Sequence, residues 1–508
     1  MSHAAKEALA ANYKTLKEEF VSNLTGGSIS EINYVTAIAP VSAIVWSVLQ
    51  SRHELFNSSR SVWICVLDFF INVLTVLLAT TLYSSRPILL NLLLLAPVLI
   101  LYILPPSRGQ TKTTKAARLV KRAYKGKVGN VTNDDLNPLP KRPFLTTYRG
   151  SMLVITSLSI LAIDFRIFPR RFAKVETWGT SLMDVGVGSF VFSSGIVAVR
   201  PSLSAHKADV GLKKKLLNAF RHSIPLLGLG FIRLWSVKGL DYAEHVSEYG
   251  VHWNFFFTLG LLPPFVTLFQ SAFVHIPSYA ALSILLGTAY QVVLDNTNLK
   301  TFMLTSPRTN LLSKNREGLI SFIGYLSIFL AGHEMGIYVL PRRLLPEKFS
   351  ALQQRKRLLV VLGAWSVAWT LLFVGSTNRQ YGLNLTVSRR LANLPYILWT
   401  AAFNTCQLTA FCLVETLFFP SIWNESNCLT RADEEALYRN ATSGILNAFN
   451  RNGLAIFLLA NILTGAVNLS VPTLNCSDLV AMIILVTYGA LITVIAIVLD
   501  WLDISIKL

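Results

Sequence analysis

Long apolar runs, each of about 17 to 25 residues and each closed by a short polar stretch, recur along the whole chain. At about 1.5 Å of rise per residue, a helix of that length crosses the roughly 30 Å hydrocarbon core of a bilayer. Helix is the form required, because lipid offers no partner to an open backbone N–H or C=O. The runs at 33–50, 61–83, 88–104, 150–168, 181–200, 219–237, 252–270, 273–294, 317–340, 357–376, 394–419, 451–470 and 479–501 predict about thirteen transmembrane helices. Two of them, 33–50 and 252–270, are interrupted by proline or polar residues. The expected fold class is all-α, a polytopic membrane helical bundle that forms a single domain over residues 1–508. Segment 1–32 is amphipathic and precedes the first run, while 105–149 is a long polar insertion. No internal repeat stands out, which removes one signature of inverted-repeat transporters.

Composition sharpens this picture. Hydrophobic residues make up 52% and charged residues 14% of the chain, with a mean hydropathy of +0.49. A soluble fold of this size needs far more charge on its surface. The 46 Lys+Arg against 27 Asp+Glu give a formal charge of +19, which in a soluble protein would point to nucleic acid. Here the cations sit in short loops between apolar runs, where positive charge sets topology and meets lipid headgroups, so no nucleic-acid partner is expected. Cys65, Cys406, Cys412, Cys428 and Cys476 show no CxxC spacing, so neither a zinc site nor a disulfide framework is predicted.

Charge also orients the bundle. Segment 105–149 carries eleven Lys/Arg against Asp134 and Asp135, which marks it cytosolic. Counting helices outward puts the basic loops 201–218 and 341–356 on the same side, and the acidic loop 238–251 opposite. The frame places the N-terminus in the lumen and the C-terminus in the cytosol. One loop breaks the pattern: 166–180 carries Arg166, Arg170, Arg171 and Lys174 on the lumenal side. Cations on the disfavoured side need a reason to be there.

That loop belongs to the block Ile163–Phe190, IDFRIFPRRFAKVETWGTSLMDVGVGSF. Pro169 cannot continue a helix interior, so the fourth helix is expected to end near it, with Asp164 inside its membrane end. A carboxylate there is costly unless it faces a polar cavity or a cation. The chain can fold back so that Lys174 or an arginine meets Asp164. The pair then reads either as a salt bridge or as a base with a cationic neighbour. Further polar strings lie beside apolar runs: Ser28–Asn33, His245–Phe256, Asn315–Gly318, Ser388–Tyr396 and Asn450–Gly453. The first four fall at lumenal helix ends in this frame. His252 and His275, taken alone, read as hydrogen-bonded packing residues. No Walker-type phosphate loop, HExxH or GxSxG triad context occurs, which excludes a nucleotide hydrolase or a zinc protease.

The segments FVSNLTGGSISEIN, DFRIFPRRFAKVETWGTSLMDVGVGSFVFSSGIV, EYGVHWNFF, NREGLISFIGY and SRRLANLPY resemble the fungal glucosaminyl-phosphatidylinositol acyltransferases of GPI-anchor biosynthesis. The likeness runs from about residue 20 to the C-terminus. It implies an endoplasmic-reticulum enzyme that moves a fatty acyl chain, typically palmitoyl, from coenzyme A to an inositol hydroxyl. The acyl-CoA is a co-substrate, and no metal or other cofactor is implied. The family motif carries its catalytic aspartate and lysine at Asp164 and Lys174. Donor and acceptor both bear phosphates, so Arg170, Arg171, Arg389 and Arg390 are expected on them. Trp178, Asp184, His252, Trp253, Asn254, Arg316 and Asn393, polar or aromatic residues of the same blocks, are expected at the substrates too. The partners expected are glucosaminyl-phosphatidylinositol, acyl-CoA and membrane lipid. Without the resemblance, the residues divide evenly between a lipid-modifying enzyme and a transporter. A structural subunit of a larger complex is the third reading.

Overall fold

The computed structural model describes residues 13, 15–17, 19–57, 61–103, 137–204, 211–238, 246–269, 276–346, 349–423 and 430–506. Among them the regular structure is helical, and the extended pairing is an isolated parallel bridge between Gly26 and Thr180. Every expected apolar segment coincides with a helix. In chain order these are α1 Ile29–His53, α2 Val62–Thr80, α3 Pro87–Ile103, α4 Pro143–Ala162, α5 Leu182–Ala198, α6 Leu212–Lys238, α7 Phe255–Phe269, α8 Tyr279–Asn296, α9 Arg316–Val339, α10 Ala351–Thr377, α11 Leu394–Phe418, α12 Gly453–Ser470 and α13 Asp478–Trp501. Nine of the described helices are both long and apolar enough to cross a membrane, so the expected thirteen spans are not reached by that measure. Helices α3 and α7 are shorter, and α6 and α8 are diluted by polar positions such as Lys213–Lys215, Gln291 and Asp295.

Several boundaries depart from expectation, among them the starts of α6, α8 and α10, and three have a local reason. Helix α4 starts at Pro143 rather than at residue 150, because proline suits the first helical turn, where its missing N–H is not needed. Arg149 therefore lies inside a helix and donates to Ser193 Oγ (3.1 Å) instead of belonging to a loop. Helix α4 ends at Ala162, so Asp164 stands beyond it and not within it. Helix α1 starts early, capped by Ser28 Oγ accepting from the Glu31 N–H (3.3 Å). It breaks at Ala37, since the ring of Pro40 cannot coexist with a regular bond to the carbonyl three to four residues back. Residues 104–136 of the basic insertion, and His275, lie outside the described residues.

Glycine sets the closest approaches in the bundle. A Cβ on Gly195 would collide with the Phe329 carbonyl, and one on Gly332 with the Phe192 carbonyl. Backbones in lipid gain from such proximity, since packing rather than water expulsion drives helix association there. Helix α9 is buried along most of its length, while Leu92, Leu99 and Ile100 of α3 and Ile483 and Val494 of α13 face outward. The ion pairs of the connecting segments fall into two groups. At one end Lys141 pairs with Glu435 (3.1 Å), Arg342 with Glu434, and Arg451 with Asp500 (3.1 Å). At the other end residues 163–181 meet 24–31, Glu248 and 387–390, and Arg390 carries the contact on to Glu317, so that parts of four of the polar strings gather there.

Candidate active site

Beyond Ala162 the chain tightens into turns, with the Asp164 N–H bonding Leu161 O (3.1 Å) and the Phe165 N–H bonding Ala162 O (3.0 Å). Arg170 ties the turn from within: its Nη2 donates to the carbonyls of Ile163 (2.7 Å), Phe168 (3.0 Å) and Phe165 (3.2 Å). Its guanidinium carbon stands 3.8 Å from the centre of the Phe20 ring. Its Nε and Nη1 are buried and have no hydrogen-bond partner among the described residues. Burial pulls the Arg170 pKa down to about 10 against the opposing charge of Asp164.

Among the described residues Asp164 accepts one hydrogen bond, from Asn468 Nδ2 to its Oδ2 (2.8 Å). Lys17 Nζ in turn donates to Asn468 Oδ1 (2.8 Å). Burial raises the carboxyl above its ordinary pKa, and the Asn468 hydrogen bond and the charges of Lys17 and Arg170 offset part of that rise. Desolvation is therefore the stronger influence on this group.

Lys174 has a different partner. Its Nζ lies 2.8 Å from Glu248 Oε1, which also stands 3.9 Å from Arg389 Nη2. Arg389 Nε donates to Asp184 Oδ1 (2.6 Å), so cations and anions alternate through Lys174, Glu248, Arg389 and Asp184. Asp184 Oδ2 further accepts from Ser181 Oγ (2.7 Å) and the Val175 N–H (3.2 Å), which fixes the start of α5. No ion pair joins Asp164 to Lys174; the cations acting on Asp164 are Lys17 and Arg170. The salt-bridge reading of that pair is thereby corrected.

The remaining expected residues mostly build the scaffold around these two centres. Arg171 Nε binds Glu31 Oε1 (2.7 Å) and fastens the block to α1. Arg390 reaches Glu317 (3.1 Å) and Thr177 Oγ1 (3.4 Å). Arg316 donates to the carbonyls of Met303 (2.8 Å) and Ser306. Asn393 Oδ1 accepts from the Ser388 N–H (3.0 Å) and holds the turn before α11. The backbone N–H groups of His252 (2.8 Å) and Trp253 (2.9 Å) donate to Asn315 Oδ1. Trp253 Nε1 bonds Thr258 (2.9 Å), and Asn254 caps α7 through the Phe256 N–H (3.0 Å). Trp178 differs: it lines an open groove of about 680 Å³ with Ser30, Thr180, Thr377 and Thr386, and Lys300 Nζ stands 4.9 Å from its ring.

Two glycines close this assembly. Gly27 N–H bonds Thr180 O (2.8 Å) and Glu176 N–H bonds Leu24 O (3.0 Å). Gly26 (φ +81°) and Gly179 (φ +131°) occupy the left-handed region, and each faces a partner backbone where a side chain would collide. Sequence reasoning missed Asn468 and Lys17. Their signals were an amide in the last turn of an apolar helix and a lysine in an amphipathic stretch, and neither points to Asp164.

The sequence profile of the GWT1 family matches residues 13–499. The chain is similar to GPI-anchored wall transfer protein 1 of Gibberella zeae, 54% identical over 507 residues that cover 98% of this chain and 99% of the relative. Its counterpart in Aspergillus fumigatus is 54% identical over 502 residues, 97% of this chain and 99% of the relative. The protein of that name in Candida glabrata is 41% identical over 519 aligned positions, 98% and 100% respectively.

Proposed function

The chain belongs to the GWT1 family, the inositol acyltransferases of GPI-anchor biosynthesis, and on that premise we propose how its residues divide the reaction. It is a multi-pass membrane protein. The acyl donor is acyl-CoA and the acceptor is glucosaminyl-phosphatidylinositol. Asp164 is the general base: it takes the proton from the inositol hydroxyl as the oxygen attacks the thioester carbon. The C–O bond forms, the C–S bond breaks, and the proton passes from Asp164 to the departing coenzyme A thiolate. Electron pairs balance with no redox step and no cofactor.

The observation that carries this reading is the state of the Asp164 carboxylate. One oxygen is held by Asn468 and the other has no hydrogen bond from the described residues. Burial raises its basicity above that of an ordinary aspartate, which favours proton abstraction near neutrality. The two unpaired N–H groups of Arg170 beside it suit the negative charge that develops on the thioester oxygen. Lys174, half exposed at the end of its ion-pair ladder, is proposed to bind an acceptor or donor phosphate and to guide it toward Asp164. Trp178 and the hydroxyls around it offer a face and hydrogen-bonding partners for a sugar ring. We place this end of the bundle in the endoplasmic-reticulum lumen, with the C-terminus cytosolic, because the basic insertion then faces the cytosol.

The test is mass spectrometry of glucosaminyl-phosphatidylinositol incubated with palmitoyl-CoA and purified protein. Gain of one palmitoyl group with release of coenzyme A is the expected result. Asp164→Asn should lower turnover by on the order of a hundredfold or more while lipid binding survives. An unchanged lipid that merely crosses the membrane would instead mark a transporter.

A further inference from the structure

The catalytic reading leaves one contact unused. Residues from the amphipathic N-terminal stretch reach the Asp164 turn once and the C-terminal end of α12 and the residues after it twice. Phe20 stacks on Arg170 at 3.8 Å, Lys17 reaches Asn468 at 2.8 Å, and Tyr13 Oη accepts from the Leu474 N–H at 3.1 Å. We propose that Asn468 is a positioning residue for Asp164, and that Lys17 fixes which way round the Asn468 amide stands. This inference rests on Asp164 acting as the base.

Donor and acceptor identity orders these contacts. An ammonium donates and cannot accept, so the Asn468 atom facing Lys17 must be Oδ1. The other end of the amide is then Nδ2, a donor, and it meets a carboxylate oxygen at 2.8 Å. Lys17 and the carboxylate favour the same orientation of the amide, so removing Lys17 leaves the carboxylate alone to oppose the turned-over form, in which Oδ1 would face it as one acceptor against another. The bond also selects an oxygen: with Oδ2 engaged, Oδ1 is the atom with a lone pair free for the inositol proton. Asn468 touches no reacting atom in this scheme. It acts through Asp164, two residues beyond the end of α4, where no helical hydrogen bonding fixes the side chain.

The groups facing Asp164 are Lys17 from the N-terminal stretch, Arg170 from its own turn, Asn468 from α12 and Tyr488 from α13. Ammonium, guanidinium and phenol groups lose protons only in alkaline solution, so an acid limb in the rate profile reports Asp164. The Asn468 hydrogen bond and the Lys17 charge both hold its pKa down. Removing either should move the acid limb to higher pH, by about one unit for Asn468→Ala and less for Lys17→Ala. Below the limb the first variant then loses about tenfold in kcat/KM, and raising the pH restores most of it.

The experiment measures kcat/KM against pH for the full chain in lipid nanodiscs, using palmitoyl-CoA and glucosaminyl-phosphatidylinositol. Wild type, Asn468→Ala, Lys17→Ala and Lys17→Arg are compared. The arginine variant keeps a donor-only cation and should retain the wild-type limb. Should Asn468→Ala fail to fold, the two Lys17 variants carry the test, since Lys17 lies outside the bundle core. A limb present in wild type and unmoved in Asn468→Ala or Lys17→Ala overturns this inference alone, because a merely structural role lowers activity equally at every pH. A wild-type profile without the limb, or a fully active Asp164→Asn, ends the base reading and this inference with it. Asn468-Leu469-Ser470 is also a glycosylation sequon, and a glycan found on Asn468 by peptide mass would equally overturn the assignment.

Discussion

Removing Arg389 should unfold this protein more readily rather than weaken its hold on substrate. The residue looks like a phosphate ligand in the sequence, but its side chain is 4% exposed and that of Asp184 is 1% exposed, with 2.6 Å between Nε and Oδ1. Arg389→Ala therefore strands a buried carboxylate that Ser181 and Val175 satisfy only in part. Breaking a buried pair from one side costs about 3–5 kcal/mol, or roughly two to three and a half powers of ten in the folding equilibrium. For a chain of this length that corresponds to a fall of ~3–10 °C in the midpoint of thermal unfolding, allowing for the larger unfolding entropy of a larger protein. The assay is thermal unfolding in detergent, followed by fluorescence-detected size exclusion, beside steady-state kinetics on the surviving fraction. The double variant Asp184→Asn, Arg389→Met removes both charges and should recover most of the loss, which neither single change does. An Arg389→Ala protein that melts with wild type and shows only a raised KM would refute the reasoning and return Arg389 to the substrate.

Asp164 should make activity and its own contribution to stability run in opposite directions with pH. Its folded pKa is raised, so activity falls as pH drops through that raised value, above the ordinary ~3.9, while protonation of the native state adds stability; stopped assays beside melting curves from pH 7 to 4 measure both. Gly332→Ala pushes a methyl into the Phe192 carbonyl and should cost about 1–3 kcal/mol. Gly186→Ala, into open space on α5, should be neutral or gain up to about 1 kcal/mol from helix propensity, and a thermal-shift comparison of the two checks the α5–α9 contact. In a cysteine-free background, a reporter cysteine in 110–130 should label from the cytosol and one in 240–248 from the lumen. Labelling of both from one side would break the proposed orientation.

Much of the fold was legible because membrane helices write themselves into sequence twice, in length and in composition. The run 394–419 matches α11 almost residue for residue, since Pro395 marks the first turn and Pro420 stops the last. The boundaries that shifted are those where hydropathy is the wrong signal. Helix α4 begins with Pro143 through Arg149, too polar to join an apolar run, yet Phe144 and Tyr148 are buried there and the Phe144 N–H donates to Glu415 (2.8 Å). A helix that starts among protein rather than lipid can carry such residues, because protein partners satisfy them.

The site was legible in a different and more limited way. The cations of 166–180 on the disfavoured side marked the block correctly as unusual, but charge alone cannot say what each cation meets. Arg171, Arg389 and Arg390 meet carboxylates from α1, α5 and α9, and those partners lie between 73 and 205 residues away along the chain. Arg389 and Arg390 each keep one buried nitrogen without a partner among the described residues, but Arg170 keeps two and meets no carboxylate directly, its Nη2 being spent on three carbonyls of its own turn. A sequence shows which groups need partners; it takes the packing of distant helices to show which needs are met internally. Positions whose needs remain unmet are the ones with capacity left for a substrate. By that criterion the Asp164 oxygen left open by Asn468 and the two unpaired nitrogens of Arg170 form a tighter candidate centre than Asp164 and Lys174, the two residues of the motif, which do not meet. The recognition role proposed for the lysine fits this geometry, because a half-exposed ammonium already balanced by Glu248 can exchange one anion for another at small electrostatic cost.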